Sequence, residues 1–401
     1  MKRIAFMSTY VPQKCGLATY THHLRQSIRT ARSWSGIDPV IVMTAQDDRK
    51  LPEDPSLWML PKHERSAYRA MAAKINRSDV GAVSLQHEFG IFGGEAGSYV
   101  LDFIERLDKP LITTFHTVFQ HPEEPYRSIQ ERIARRSDRI VVMNRKAIVY
   151  LQQSYGIPSV KIDYIPHGTP EPRTNERAAI REKSGWADKK VLLTFGLLSR
   201  GKGLETVIRA LPDVLRKVPN ALYVIMGQTH PEVRRTEGEA YREQLQSLVH
   251  ELGLDKHVRM VNEYVDEDRL ADAIAGCDLY VTPYPGLQQI TSGTLAYAIG
   301  LGRPVLSTPY SYAEDILGGC PELLVPAGDS EEWGRRIASM LSDPAALRQW
   351  EDRIARIGQG MQWPQVGKAH IRLFDQAAAA KHPETDREKS ALSAGGRRIV
   401  S

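Results

Sequence analysis

Short runs of Val, Ile and Leu, apolar at successive rather than alternate positions, recur along almost the whole chain, separated by segments of helical period. In the first half they read RIAFMST (3–9), PVIVMT (39–44), AVSLQ (82–86), PLITTF (110–115), RIVVM (139–143) and KIDYIP (161–166). In the second half they read KVLLTF (190–195), ALYVIM (221–226), HVRMV (257–261), DLYVT (278–282), PVLST (304–308) and ELLVP (322–326). Strands that are apolar on both faces and alternate with helices predict parallel sheets buried between helical layers. The charged, proline-containing stretch 168–190 interrupts the alternation and sets a domain boundary near its start. The pattern therefore predicts an α/β chain of two doubly wound, Rossmann-like domains, residues 1–170 and 171–363, with a cleft between them. Helices are expected at 331–341, 345–357 and 365–381, and the polar, glycine-containing residues 382–401 as a disordered tail.

In open α/β sheets, ligands bind outside the carboxyl ends of the strands, so the loops after these runs hold the candidate chemistry. After the first run, Gly16 opens a helix, where backbone N–H groups can approach an anionic or polar oxygen; a tight turn is the plain alternative. His87 in LQHEFG and His116 in TTFHT fall at strand ends, and His167 in IPHGTP lies near the boundary. Imidazole offers a donor and an acceptor near neutral pH, although a lone histidine is as readily a structural residue. Their spacing is not that of metal ligands, and no metal is expected. In GLLSRGKG, Gly196, Gly201 and Gly203 flank Arg200 and Lys202, a mobile turn with two cations suited to a phosphate or diphosphate. It lacks the spacing of a P-loop, and a solvated basic turn is its alternative. Finally Thr291, Ser292, Gly293 and Thr294 gather where a helix should begin. One hydroxyl suffices to cap a helix, so three with a glycine point to a phosphoryl or sugar oxygen, redundant capping being the alternative.

Composition narrows the classes. The 401 residues carry a net charge of +5, partly in the tail, too little and too dispersed for nucleic acid. Cys15, Cys277 and Cys320 are far apart and show no C-x-x-C spacing, which excludes a disulfide framework and fits a reducing cytoplasm. No run reaches the length of a membrane span, and the N-terminus reads as a first strand rather than a signal peptide. Two basic helical segments, 62–77 and 126–139, are candidates for weak peripheral contact with an anionic membrane, a solvated face being the alternative.

Together the Gly16 loop, TTFHT, IPHG, GLLSRGKG, VIMG and DLYVTPYPG…LAYAIGLGRPVLSTP resemble the family-4 retaining glycosyltransferases of GT-B architecture, over nearly the whole chain to about residue 381. The resemblance implies a nucleotide sugar, UDP- or GDP-linked, bound by the second domain. It further implies a carbohydrate or lipid-linked acceptor at the first, transfer with retention, and no cofactor beyond the co-substrate. It implies that Lys202 holds the donor diphosphate, that His116 lies near the reacting sugar, that Gly16 approaches diphosphate and acceptor, and that His87 and His167 are acceptor-side. Gly196, Gly201 and Thr291 to Thr294 would line the donor, and the last helix, 364–381, would return to the first domain. Glucose and mannose are the expected sugars, and polysaccharide biosynthesis the setting.

The chain departs from the family at its two glutamates, eight residues apart, which here are Gln289 and Tyr297. Glutamine can still hydrogen-bond sugar hydroxyls but brings no charge to a developing oxocarbenium ion. Tyr297 would meet a ribose through its hydroxyl, and Glu314 is the carboxylate expected to take over part of the role. Leu197 stands where the family has an arginine, with Arg200 as the expected substitute. These departures leave two other readings open: a glycoside phosphorylase using phosphate and a sugar 1-phosphate, and a non-catalytic sugar or nucleotide binder. A nucleotide-sugar epimerase is disfavoured by the few acidic and histidine candidates.

Overall fold

A computed structural model describes residues 3–44 and 54–381; the expected tail, 382–401, lies outside the described residues. The chain divides into two compact units, the first formed by residues up to Pro166 and again from Pro364, the second by His167–Trp363.

Unit 1 is a seven-stranded parallel sheet, β1 (Arg3–Ser8), β2 (Val40–Thr44), β3 (Leu57–Pro61), β4 (Val80–His87), β5 (Leu111–Phe115), β6 (Arg139–Val142) and β7 (Ile162–Tyr164), in the order β3-β2-β1-β4-β5-β6-β7. Unit 2 is a five-stranded parallel sheet, β8 (Lys190–Phe195), β9 (Ala221–Met226), β10 (Val258–Val261), β11 (Leu279–Thr282) and β12 (Val305–Ser307), in the order β10-β9-β8-β11-β12. The inner strands are buried on both faces, which is why they read as unbroken apolar runs. The order reverses between β1 and β4 in one unit and between β8 and β11 in the other. Those two switch points hold the loops that carry the candidate residues. This is the GT-B type of architecture.

Two expectations are corrected. β3 was not foreseen: it is an edge strand, half exposed, with a proline at its end, and so lacks the continuous apolar signature of its neighbours. Conversely 322–326 forms no strand. Pro321 opens a short 3-10 turn there, and Leu324 makes only an isolated bridge to Ser307.

The helix Leu204–Lys217 shows how local sequence positions the second site. Leu204, Val207, Ile208, Leu211 and Val214 form one buried stripe, while Glu205 and the pair Arg216, Lys217 complement the dipole at its two ends. Gly203 starts it in the left-handed region, φ 55°, and a Cβ there would lie 2.5 Å from the Pro283 carbonyl oxygen. Only glycine lets the β8 turn sit this close to the β11 turn.

The last helix, Trp363–Lys381, belongs from Pro364 onward to unit 1. Its Gly367 lies against Ser27, whose Oγ would be 2.2 Å from a Cβ. His370 is wholly buried, with Nδ1 hydrogen-bonded to the Val366 carbonyl, and burial lowers its pKa to about 4. The two basic segments form helices Arg65–Arg77 and Tyr126–Arg136, whose apolar faces are buried in unit 1. Arg65, Arg69 and Arg106 converge on Asp102, and Arg135 pairs with Glu131. Among the described residues no helix is long and apolar enough to cross a membrane.

Candidate functional site

In unit 2 the β8 and β11 turns bring a cation and a set of hydroxyls together. β8 is followed by Gly196, φ 137°, where a Cβ would be 3.5 Å from Thr294 Cγ2 and 3.8 Å from Lys202 Nζ. The chain then makes the 3-10 turn Arg200–Lys202. The Lys202 ammonium lies 4.1 Å from the ring centroid of Tyr284, and Tyr284 Oη shares a 3.1 Å hydrogen bond with Thr294 Oγ1. Ser292 caps the helix Gly293–Gly300: its Oγ accepts from Leu295 N and lies 3.3 Å from Thr294 Oγ1. Thr291 Oγ1 is buried and makes no hydrogen bond. A helix start has free N–H groups and a partial positive charge, so an anion here meets an ammonium, N–H donors and hydroxyls together.

In unit 1 the ends of β4 and β5 carry a hydrogen-bonded web. Gln86, fully buried, donates Nε2 to Ser84 Oγ and offers Oε1 to His116 Nε2 at 3.0 Å. An amide oxygen can only accept, so with the Gln86 amide in this orientation His116 Nε2 donates the proton. The His116 ring meets Tyr20 edge-on at 5.0 Å. Beside it Thr117 donates to Glu88 Oε2 at 2.6 Å, Glu88 Oε1 accepts from Phe89 N, and Gln130 joins the Thr117 carbonyl to Tyr155 Oη. Burial raises the Glu88 pKa against the lowering effect of these hydrogen bonds.

Residues 176–356 match the family model for glycosyl transferases group 1, and residues 15–171 the model for glycosyltransferase family 4. The chain belongs to glycosyltransferase family 4. Its relatives include the GDP-mannose-dependent alpha-(1-6)-phosphatidylinositol monomannoside mannosyltransferase of Mycolicibacterium smegmatis, 24% identical over 385 residues, covering 87% of this chain and 95% of the relative. The D-inositol 3-phosphate glycosyltransferase of Rhodococcus jostii is 24% identical over 75% of this chain and 68% of its own. Among solved structures, Anabaena HepE in complex with UDP superposes with a TM-score of 0.71 at 14% identity, over 93% of this chain and 100% of that one. WaaG, a glycosyltransferase involved in lipopolysaccharide biosynthesis, superposes at 0.63 with 19% identity, over 94% and 99%.

Within this glycosyltransferase the structure brings Gly196, Lys202, Ser292 and Thr294 together, and sends several other candidates elsewhere. Arg200, expected beside Lys202, turns toward the region after β9: Nη1 donates to Gln244 Oε1, Nε is 3.5 Å from Glu237, and the guanidinium lies over Tyr241. Tyr297, expected on a ribose, is buried, its hydroxyl donating to Glu267 Oε1 at 2.7 Å, because its side chain follows the inner face of its helix. His167, expected on the acceptor side, belongs to unit 2, where backbone bonds of Thr169 to Met361 and Trp363 hold its segment. Its Nε2 would be 3.1 Å from a Cβ on Gly293, so the lack of a side chain at that position makes room for the imidazole. His87 is fully buried among Phe89, Phe92 and Phe115, without a hydrogen bond on either ring nitrogen, and burial lowers its pKa to about 3. It is neutral packing beneath the turn Phe89–Ile91 rather than an acceptor contact.

The remaining candidates sit in open positions. A Cβ on Gly16 would meet nothing within 4 Å, and one on Gly201 only Ser199 Oγ at 3.6 Å, so neither glycine is demanded by packing. Gln289 is exposed, with Nε2 donating to the Thr291 carbonyl. Its own carbonyl accepts from Tyr312 N at the start of helix Ser311–Leu317, which carries the half-buried Glu314. Sequence reasoning missed Tyr284, Glu88 and Gln86. Gln86 and Glu88 flank His87, which it did single out, and Tyr284 lies within the PYPG stretch it quoted, but none of the three carried a signal of its own. Among the described residues no group of three or more His, Cys, Asp or Glu could hold a metal ion.

Proposed function

We propose that this chain moves a hexosyl group, glucose or mannose, from a UDP- or GDP-linked donor to a hydroxyl of a carbohydrate or lipid-linked acceptor, with retention and without a metal ion. The observation that carries this reading is the convergence of Lys202, Gly196, Thr294 and the Ser292-capped helix start at the switch point of unit 2. The GDP-mannose dependence and phosphatidylinositol mannoside named for the mycobacterial relative support the donor and acceptor classes.

In this reading the bond between the anomeric carbon and the donor phosphate oxygen breaks as the acceptor oxygen bonds to the same face. The departing diphosphate takes the acceptor proton. Lys202 and the N–H groups and hydroxyls at 292–294 stabilise the charge that grows on the diphosphate. Gln289 orients sugar hydroxyls without adding charge, and His116, its tautomer fixed by Gln86, hydrogen-bonds a sugar hydroxyl. Peripheral membrane contact through the arginine-bearing faces of Arg65–Arg77 and Tyr126–Arg136 would suit a lipid-linked acceptor.

Calorimetric titration with UDP, GDP, ADP and inorganic phosphate, on the native protein and Lys202→Ala, tests the reading. A nucleoside diphosphate is expected to bind, about 10- to 100-fold more weakly after loss of the charged hydrogen bonds of Lys202. Binding of phosphate with no nucleoside diphosphate would instead make the chain a phosphorylase, and unchanged affinity in Lys202→Ala would remove the role given to that residue.

A further inference from the structure

Tyr284 has no place in the reading above, yet it touches both the cation and a helix-start hydroxyl of the unit 2 cluster. It lies two residues beyond the end of β11 and is 1% exposed, with Tyr310 stacked on its ring at a centroid distance of 5.5 Å and an interplanar angle of 18°. Its carbonyl accepts from Thr308 Oγ1 at 2.6 Å. The ring is thereby fixed in place from both its backbone and its face. Lys202 Nζ lies 4.1 Å from the ring centroid, within range for the attraction of an ammonium to an aromatic face. The hydroxyl reaches Thr294 Oγ1, which in turn lies beside the capping Ser292 Oγ.

A lysine carries four rotatable bonds on a mobile stem, and holding its ammonium at one point has an entropic cost. An aromatic face supplies the hold without neutralising the charge, which a carboxylate partner would do. We propose that Tyr284 is a positioning residue that holds the Lys202 ammonium aimed at the same anion as the Ser292–Thr294 helix start. The ring fixes the cation and the hydroxyl fixes the helix-start threonine, so that a diphosphate meets both in register. This inference rests on the anion-binding role of Lys202.

The test is a double-mutant cycle read by titration with inorganic pyrophosphate. Tyr284→Leu is expected to weaken pyrophosphate binding by about three- to thirty-fold in the native background. In the Lys202→Ala background it is expected to change binding by less than about twofold, because the partner is already gone. Equal losses in both backgrounds, or no loss in the native one, would overturn the proposal while leaving Lys202 its role; no effect of Lys202→Ala itself would overturn both. Because Tyr284 is buried and Leu at this position risks misfolding, a second series keeps its shape. Tyr284→Phe, then progressively fluorinated phenylalanines in its place, preserve packing while draining the electron-rich face. Pyrophosphate affinity is expected to fall stepwise with fluorination and thermal stability to stay level; a flat affinity series would count against the ring as the holder of the cation.

Discussion

The two switch points are built from the same topology and arrive at opposite solutions. At the ends of β4 and β5, polar side chains are tied to one another: Ser84 to Gln86 to His116, and Glu88 to Thr117, with Gln130 linking to Tyr155. At the ends of β8 and β11, a lysine rests on an aromatic face and hydroxyls gather at a helix start, with Thr291 Oγ1 buried and without a hydrogen bond. The first arrangement fixes a tautomer and an orientation; the second concentrates positive potential. A neutral hydroxyl is recognised by direction, whereas a diphosphate is recognised mainly by charge, and in the proposed function each unit serves one of these tasks.

The widest separation between the two is expected from His116→Ala, which should lower transfer by about 100-fold or more while leaving nucleoside diphosphate affinity unchanged. Single-turnover assays beside titration would show it, and a parallel loss of affinity would break the division of labour. Next in size, Gly203→Ala forces a Cβ toward the Pro283 carbonyl at a positive φ. It should cost unit 2 about 2–3 kcal/mol in denaturant unfolding, without disturbing hydrogen-exchange protection in unit 1.

The smallest and most gradual effect is acid sensitivity. His87 and His370, both in unit 1, are held neutral by burial, at about 3 and about 4, against about 6.5 when unfolded. Folded pKa values below the unfolded one mean that this stability is complete above about pH 6.5 and is lost progressively as pH falls toward 4 and 3. The buried tyrosines of unit 2, Tyr223 and Tyr241, are shifted upward and stay neutral throughout that range. Amide exchange between pH 7 and 5 should therefore show unit 1 loosening first, and His87→Leu should flatten the trend. Equal loosening of both units would erase this part of the contrast.

Most of the fold could be read from the apolar runs because a strand buried on both faces leaves a continuous signal. β3 could not, since an edge strand shares its surface with solvent, and 322–326 misled because an apolar run between prolines resembles a strand without having a neighbour along its length. At the site, Gly196, Lys202, Ser292 and Thr294 were legible because backbone conformation, charge and capping each leave a residue-type signature. The direction of a side chain leaves none. Arg200 and Lys202 are two residues apart in one turn and point to different neighbours, while Tyr297 reaches Glu267, thirty positions away in sequence. Gly293 is the sharpest case: the glycine was noticed, but the imidazole that needs it lies far earlier in the chain.

The helix that begins at Trp363 also determines the order in which the protein can be made. Gly367 against Ser27 and the buried His370 belong to the core of unit 1, yet they are encoded after the whole of unit 2. On the ribosome, unit 2 has its full sequence available while unit 1 still lacks a wall. The part of the chain synthesised first is thus the last to be finished, and a chain released early, before residue 364, carries a complete second unit beside a first unit whose core is open.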